Sequence, residues 1–166
     1  GPFAMDIWKD GAMASEALPE WCVPAAMLTM INLVKKRRPV TSYDEQKRLY
    51  YLARKHSTDK LTGAGAEPEG WAEGLNREGI GPYIVFVAPS RRLAVKQAAK
   101  ALRLTGRPAG ILAWRGAHSM VLTGFKATAV EPTIIRHPAA LSTPPAPSRR
   151  APRPDPPVPE NRAALR

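Results

Sequence analysis

The chain is poor in the residues that build metal and redox sites. It holds one cysteine, Cys22, and three histidines in 166 residues. A single cysteine excludes an intramolecular disulfide and any cysteine-based zinc site. No paired metal ligands and no phosphate-cradling glycine loop appear, and Gly63-Ala64-Gly65 reads as a flexible loop by ordinary turn chemistry. No cofactor and no metal are expected. No apolar run is long enough to span a bilayer, so no membrane partner is expected either. The longest, Val23 to Val34, is interrupted by Thr29 and Asn32 and suits a buried helix. The N-terminus lacks a charged-then-apolar export pattern, while Gly1-Pro2-Phe3-Ala4-Met5 reads as a tag remnant. Compartment and oligomeric state stay open.

What the chain has in excess is positive charge and proline. The formal charge is +11, which invites a nucleic-acid reading. Its distribution argues against one. Lys35-Lys36-Arg37-Arg38 supplies +4 at the end of a predicted helix, where cations favour the negative end of the macrodipole. The last 29 residues hold five arginines against two acids and 9 of the 18 prolines. That composition buries too little apolar surface to order itself. The expected organisation is a tag remnant and lead-in over 1–15, one domain over 16–137 and a disordered Pro/Arg-rich tail over 138–166.

Weak periodicity over residues 6–18 predicts an extended or short helical lead-in, which Pro19 breaks. From Cys22 onward, Val23, Met27, Ile31 and Val34 recur at helical spacing, with Ala26, Met30 and Leu33 widening the stripe. This predicts a central helix ending at Arg38. Pro24 fits its first turn, where the missing N–H has no intrahelical acceptor to lose. Ser42 and Glu45, at capping-box spacing, start a second helix that runs to about His56 with Gln46, Leu49, Tyr50 and Ala53 on one face. Pro68 opens a short helix carrying Trp71 and Leu75, and Ser90 caps a fourth. Strands are predicted from Tyr83 to Val87, Gly110 to Trp114 and His118 to Phe125, the last two joined by a turn at Arg115-Gly116. Pro132 to His137 is a candidate edge strand. Helices first and strands after argue for an α+β fold with an antiparallel sheet.

The chemistry centres on Cys22. A thiol is a nucleophile as thiolate, and both a helix N-terminus and a nearby imidazolium lower its pKa. Cys22 has the first by position, and His118, at the start of a strand, is placed to supply the second. The plain alternative is a small buried hydrophobe, the commoner fate of a lone helical cysteine. His56 reads as a helix-end residue, and His137 borders the tail. Trp71 and Trp114 read as core; Trp21, beside the thiol, reads as core or as a cleft wall.

Trp21-Cys22-Val23-Pro24-Ala25-Ala26, followed by Gly116-Ala117-His118-Ser119-Met120-Val121-Leu122-Thr123-Gly124-Phe125, resembles a known family. It is similar to the papain-like cysteine peptidases related to the bacteriocin-processing, double-glycine peptidases, in their stand-alone bacterial form. The pattern there is Cys-x-Pro/Gly-Ala at a helix start, then Gly-x-His-x-x-Val-x-x-Gly-Tyr/Phe on a strand. Gly70-Trp71-Ala72-Glu73-Gly74-Leu75-Asn76, Gly81-Pro82-Tyr83 and Thr105-Gly106-Arg107-Pro108 are similar as well, so the resemblance covers roughly residues 16–129. It implies a papain-like fold, with N-terminal helices carrying Cys22 packed on a C-terminal antiparallel sheet carrying His118. It implies a hydrolase of peptide or protein substrates, in which Cys22 attacks a carbonyl while His118 takes and returns the proton. Backbone N–H groups at the helix start and an upstream side chain would hold the oxyanion.

Two positions depart from the family. A Gln usually stands six residues before the Cys; here that position is Glu16, a carboxylate in the oxyanion cleft. The family's Asp-Pro, whose Asp orients the histidine, has Val130 as its counterpart; Glu131 is the nearest acid, one residue late. On a strand that offset reverses the side chain. The resemblance stops at Ala129, and the composition beyond it reads like GC-rich DNA translated out of frame. An Asp-Pro-containing continuation in another frame of the coding DNA is the expected finding. The alternatives to a peptidase are a non-catalytic peptide-binding module of the same fold and, less favoured, a basic protein that binds an anionic surface or nucleic acid.

Overall fold

The structure is a computed structural model, and it describes residues 3–58, 65–113, 118–127, 132–134 and 162–165. Helices α1 (Cys22–Val34), α2 (Tyr43–Lys55), α3 (Pro68–Arg77) and α4 (Arg91–Thr105) combine with strands β1 (Phe3–Asp6), β2 (Ile84–Val87), β3 (Ala109–Ala113), β4 (His118–Leu122), β5 (Gly124–Ala127), β6 (Pro132–Ile134) and β7 (Arg162–Leu165). The strands make two antiparallel sheets, ordered β1-β5-β6 and β2-β7-β3-β4. The architecture is α+β.

α1 is the central helix its composition predicts, with ten of its residues buried. It packs on α2, α3 and β4, and Met27, Leu28, Met30 and Ile31 share one core with Leu49, Trp71, Leu75 and Tyr83. It stops at Val34, short of the expected Arg38. The cause is Asn32, whose carboxamide accepts from the Val40 N–H at 2.9 Å and donates to the Val40 carbonyl at 2.7 Å. That clasp folds residues 35–40 back along the helix instead of letting it continue. The basic tetrad therefore follows the helix rather than ending it.

α2 starts as expected, with Ser42 Oγ accepting from the Glu45 N–H at 3.3 Å. Acids in its first turn and Arg54 and Lys55 in its last complement the macrodipole. α3 crosses α2 at a close approach through Gly70. A Cβ there would be driven into the Ala53 carbonyl. Ala would ordinarily be favoured over Gly in a helix by about 1 kcal/mol, but backbone against backbone has nowhere to yield. Gly70→Ala is expected to lower stability by a net 2 kcal/mol or so in urea denaturation; an unchanged midpoint would show that the helices can part.

The motifs between the cysteine and the histidine converge on one structural joint. Asn76 Oδ1 accepts from the Tyr83 N–H at 2.5 Å, and its Nδ2 donates to the Tyr83 carbonyl at 3.1 Å. The Tyr83 hydroxyl donates to the Pro108 carbonyl at 3.0 Å, and the Arg107 guanidinium donates to the carbonyls of Ile80 and Gly81. These contacts tie the end of α3 to β2 and to the turn between α4 and β3. α4, capped by Ser90 and ended by left-handed Gly106, builds a second core from Ala98, Ala99 and Leu102 with Ala109, Leu122 and Phe125.

Three features go beyond the expected elements. In the segment read as tag remnant and lead-in, β1 pairs with β5 from Phe3↔Ala127 to Asp6↔Gly124. The Phe3 ring lies 5.8 Å from that of Phe125, beneath the Arg103 guanidinium. Two alternating apolar residues, Phe3 and Met5, are too short a pattern to announce a strand. The run from His118 to Phe125 is two strands, broken at buried Thr123, whose carbonyl accepts from the Ile7 N–H at 2.9 Å. Within the tail, Arg162–Leu165 form β7, which inserts between β2 and β3. After Pro159 the chain has no further proline, so its N–H groups can serve a ladder on both sides. The rest of 138–166, the turn at Arg115-Gly116, Trp114 and His137 lie outside the described residues.

Candidate active site

The site begins with an irregular segment, residues 12–17, that three buried polar side chains hold against α1 and α2. Asn32 Nδ2 donates to the Ala12 carbonyl at 3.0 Å, and Thr29 Oγ1 accepts from the Ala14 N–H at 3.0 Å. Gln46 accepts from the Ala17 N–H at 3.0 Å and donates to the Ser15 carbonyl at 2.7 Å. Buried polar groups cost free energy unless paired, so the two residues that interrupt the apolar pattern of α1 have a definite task. They align this segment, and the segment carries Glu16 to the start of β4. Glu16 Oε1 lies 3.5 Å from His118 Nδ1.

Cys22 is the first residue of α1 and is half-buried. Its thiol lies beside Ser119, the second residue of β4, and the backbone at Val23 and Ser119 favours its ionised form. The Ser119 hydroxyl favours ionisation of the thiol, yet it is buried without a partner at full hydrogen-bond geometry among the described residues. Ser119 thus stands beside the Cys22 thiol and its neighbour His118 beside Glu16, so the start of α1 and the start of β4 form the two sides of the site.

Burial dominates the electrostatics. It pushes the Cys22 thiol above its ordinary value, offset in part by Ser119 and Val23 and reinforced by the charge of Glu16. The thiol lowered by a helix end and an imidazolium, expected from position alone, is therefore not the resting state. Burial also lowers the His118 pKa and raises that of Glu16. An ion pair would drive both the other way, but 3.5 Å is beyond the usual N–H···O range, so desolvation prevails and each group is drawn toward its neutral form. A neutral imidazole with its proton on Nδ1 faces Glu16 favourably and keeps Nε2 as the basic nitrogen.

The other predicted site residues fall as follows. Trp21 is 7% exposed and stacks on Tyr43 and Tyr50 of α2, with centroids 5.2 Å away in each case. Its ring anchors the start of α1 to α2, leaving little surface to line an opening. Glu131 and Val130 lie outside the described residues. Ser119 and Gln46 carried no motif signal; Gln46 was visible only as one polar residue on the otherwise apolar face of α2. In the basic tetrad, Lys35 Nζ lies 3.8 Å from Glu78, and the Arg37 carbonyl accepts from Lys9 Nζ at 2.9 Å. Among the described residues no group of histidine, cysteine and acidic side chains could hold a metal ion, and no helix is long and apolar enough to cross a membrane. No protein-family model matches the chain, and no curated protein or solved structure matches it significantly.

Proposed function

We propose that the protein is a cysteine peptidase of papain-like architecture, related to the double-glycine peptidases, with Cys22 as nucleophile and His118 as general base. The reading is supported by the packing of α1 on β4, which sets the helix-start thiol of Cys22 against Ser119, the neighbour of His118, while Glu16 lies 3.5 Å from His118 Nδ1. His118 takes the thiol proton as Sγ bonds to the peptide carbonyl carbon, and the oxyanion forms. Collapse breaks the C–N bond and the amine leaves with the proton from His118. Water, deprotonated by His118, then hydrolyses the thioester and restores the thiol. The first N–H groups of α1 have no intrahelical acceptor and face a developing negative charge at the positive end of the helix.

A neutral thiol beside a neutral imidazole makes this a general-base route without a resting thiolate. Two pH profiles therefore separate. Alkylation of Cys22 by iodoacetamide follows the thiolate and, with the thiol pKa pushed up by burial, climbs only above the ordinary thiol range. Peptide hydrolysis needs unprotonated His118, whose pKa burial lowers, so activity is full at neutral pH, persists through the ordinary imidazole range and is lost only at more acidic pH. The test is digestion of a peptide library by wild type and by Cys22→Ala, with cleavage read by mass spectrometry. Cleavage that persists without Cys22 would sink the proposal. The raised thiol pKa also suits a peptide-binding module without turnover; peptide retention by wild type with no cleavage at any pH selects that reading.

A further inference from the structure

We propose that Gln46 is a positioning residue for the Cys22–His118 pair: its side-chain amide pins the backbone on both sides of Glu16 and so presents the Glu16 carboxylate to His118. This rests on the Cys–His reading of the site. The Gln46 amide does what a neighbouring strand would do. It accepts from the N–H of the residue after Glu16, at 3.0 Å, and donates to the carbonyl of the residue before it, at 2.7 Å. With both flanking groups held, the carboxylate has only its own side-chain torsions to search, and it reaches His118 Nδ1 at 3.5 Å. Gln46 is itself 1% exposed, and its helix is fixed by the Ser42 cap and by Trp21 stacked on Tyr43 and Tyr50. The same end of α2 therefore sets the place of the thiol's helix, through Trp21, and the place of the acid, through Gln46. Such preorganisation by residues outside the reacting groups is what keeps a site at working geometry.

The consequence is a choice of imidazole tautomer. A carboxylate held at Nδ1 keeps the proton there and leaves Nε2 basic; released, the imidazole returns to the Nε2-protonated form that it prefers in water. The experiment uses the full chain labelled with ¹⁵N-histidine, with His118 assigned by its absence in a His118→Gln variant. Long-range ¹H–¹⁵N spectra at neutral pH are compared for wild type, Gln46→Met and Glu16→Ala. The expected result is an Nδ1-protonated His118 in wild type and the opposite tautomer in both variants. Hydrolysis should fall roughly 10- to 100-fold in Gln46→Met. A folded Gln46→Met with the wild-type tautomer overturns the proposal, whether or not Glu16→Ala changes it. Should Gln46→Met not fold, Gln46→Asn, too short to reach both backbone groups, carries the same readout. Tautomer changes in a wild type that cleaves no peptide would instead leave the positioning intact and remove the peptidase reading.

Discussion

His118→Ala is expected to lower peptide hydrolysis by roughly 10⁴-fold while leaving the fold intact. The size of the effect follows from the electrostatics at Cys22. Where a thiol is already ionised at rest, loss of the histidine leaves a competent nucleophile behind. Here burial, reinforced by the charge of Glu16, pushes the thiol pKa up, so under the proposed function the proton must be removed during attack, and His118 is the proposed acceptor. Stability should change little, because the side chain is 26% exposed and lies at the first position of β4. The check is initial rate on the best-cleaved library peptide, with circular dichroism to confirm folding. Hydrolysis within tenfold of wild type would mean that Cys22 ionises without His118.

Asn32→Leu is expected to be the most damaging single change in the helical layer, costing roughly 3–5 kcal/mol. Asn32 is 0% exposed and joins three backbone groups, the Ala12 carbonyl and both polar groups of Val40. A leucine of similar volume keeps the apolar contacts, so what is lost is hydrogen bonding. Each orphaned backbone group costs about 1–3 kcal/mol when buried, and two of these three lie at part-buried contacts where water can take over some of the loss. The melting temperature should drop by about 10 °C or more. A drop of only a degree or two would mean that water replaces the side chain at all three places. The same variant links fold to site, because it loosens the segment that leads to Glu16.

Much of the architecture was legible in local pattern. The apolar stripe of α1, the Ser42 and Ser90 caps, and Trp71 and Leu75 at one-turn spacing are signals that act within a few residues, and helices respond to such signals. β1 and β7 were not legible, because a strand draws its stability from a partner remote in sequence. Neither Phe3–Asp6 nor Arg162–Leu165 states which strand it will meet.

The candidate site divides along the same line. The sequence by itself determined that Cys22 stands at a helix start and that His118 opens a strand after a glycine, since both depend on local punctuation. It also marked Glu16 as the residue six positions before the cysteine, but not what that carboxylate faces. Only the tertiary structure decided that. Thr29, Asn32 and Gln46 pair with backbone 8 to 31 residues away, and that pairing turns Glu16 toward His118. Burial, too, is a property of the assembled fold, and it moved the thiol above its ordinary pKa where the helix end alone would have moved it down.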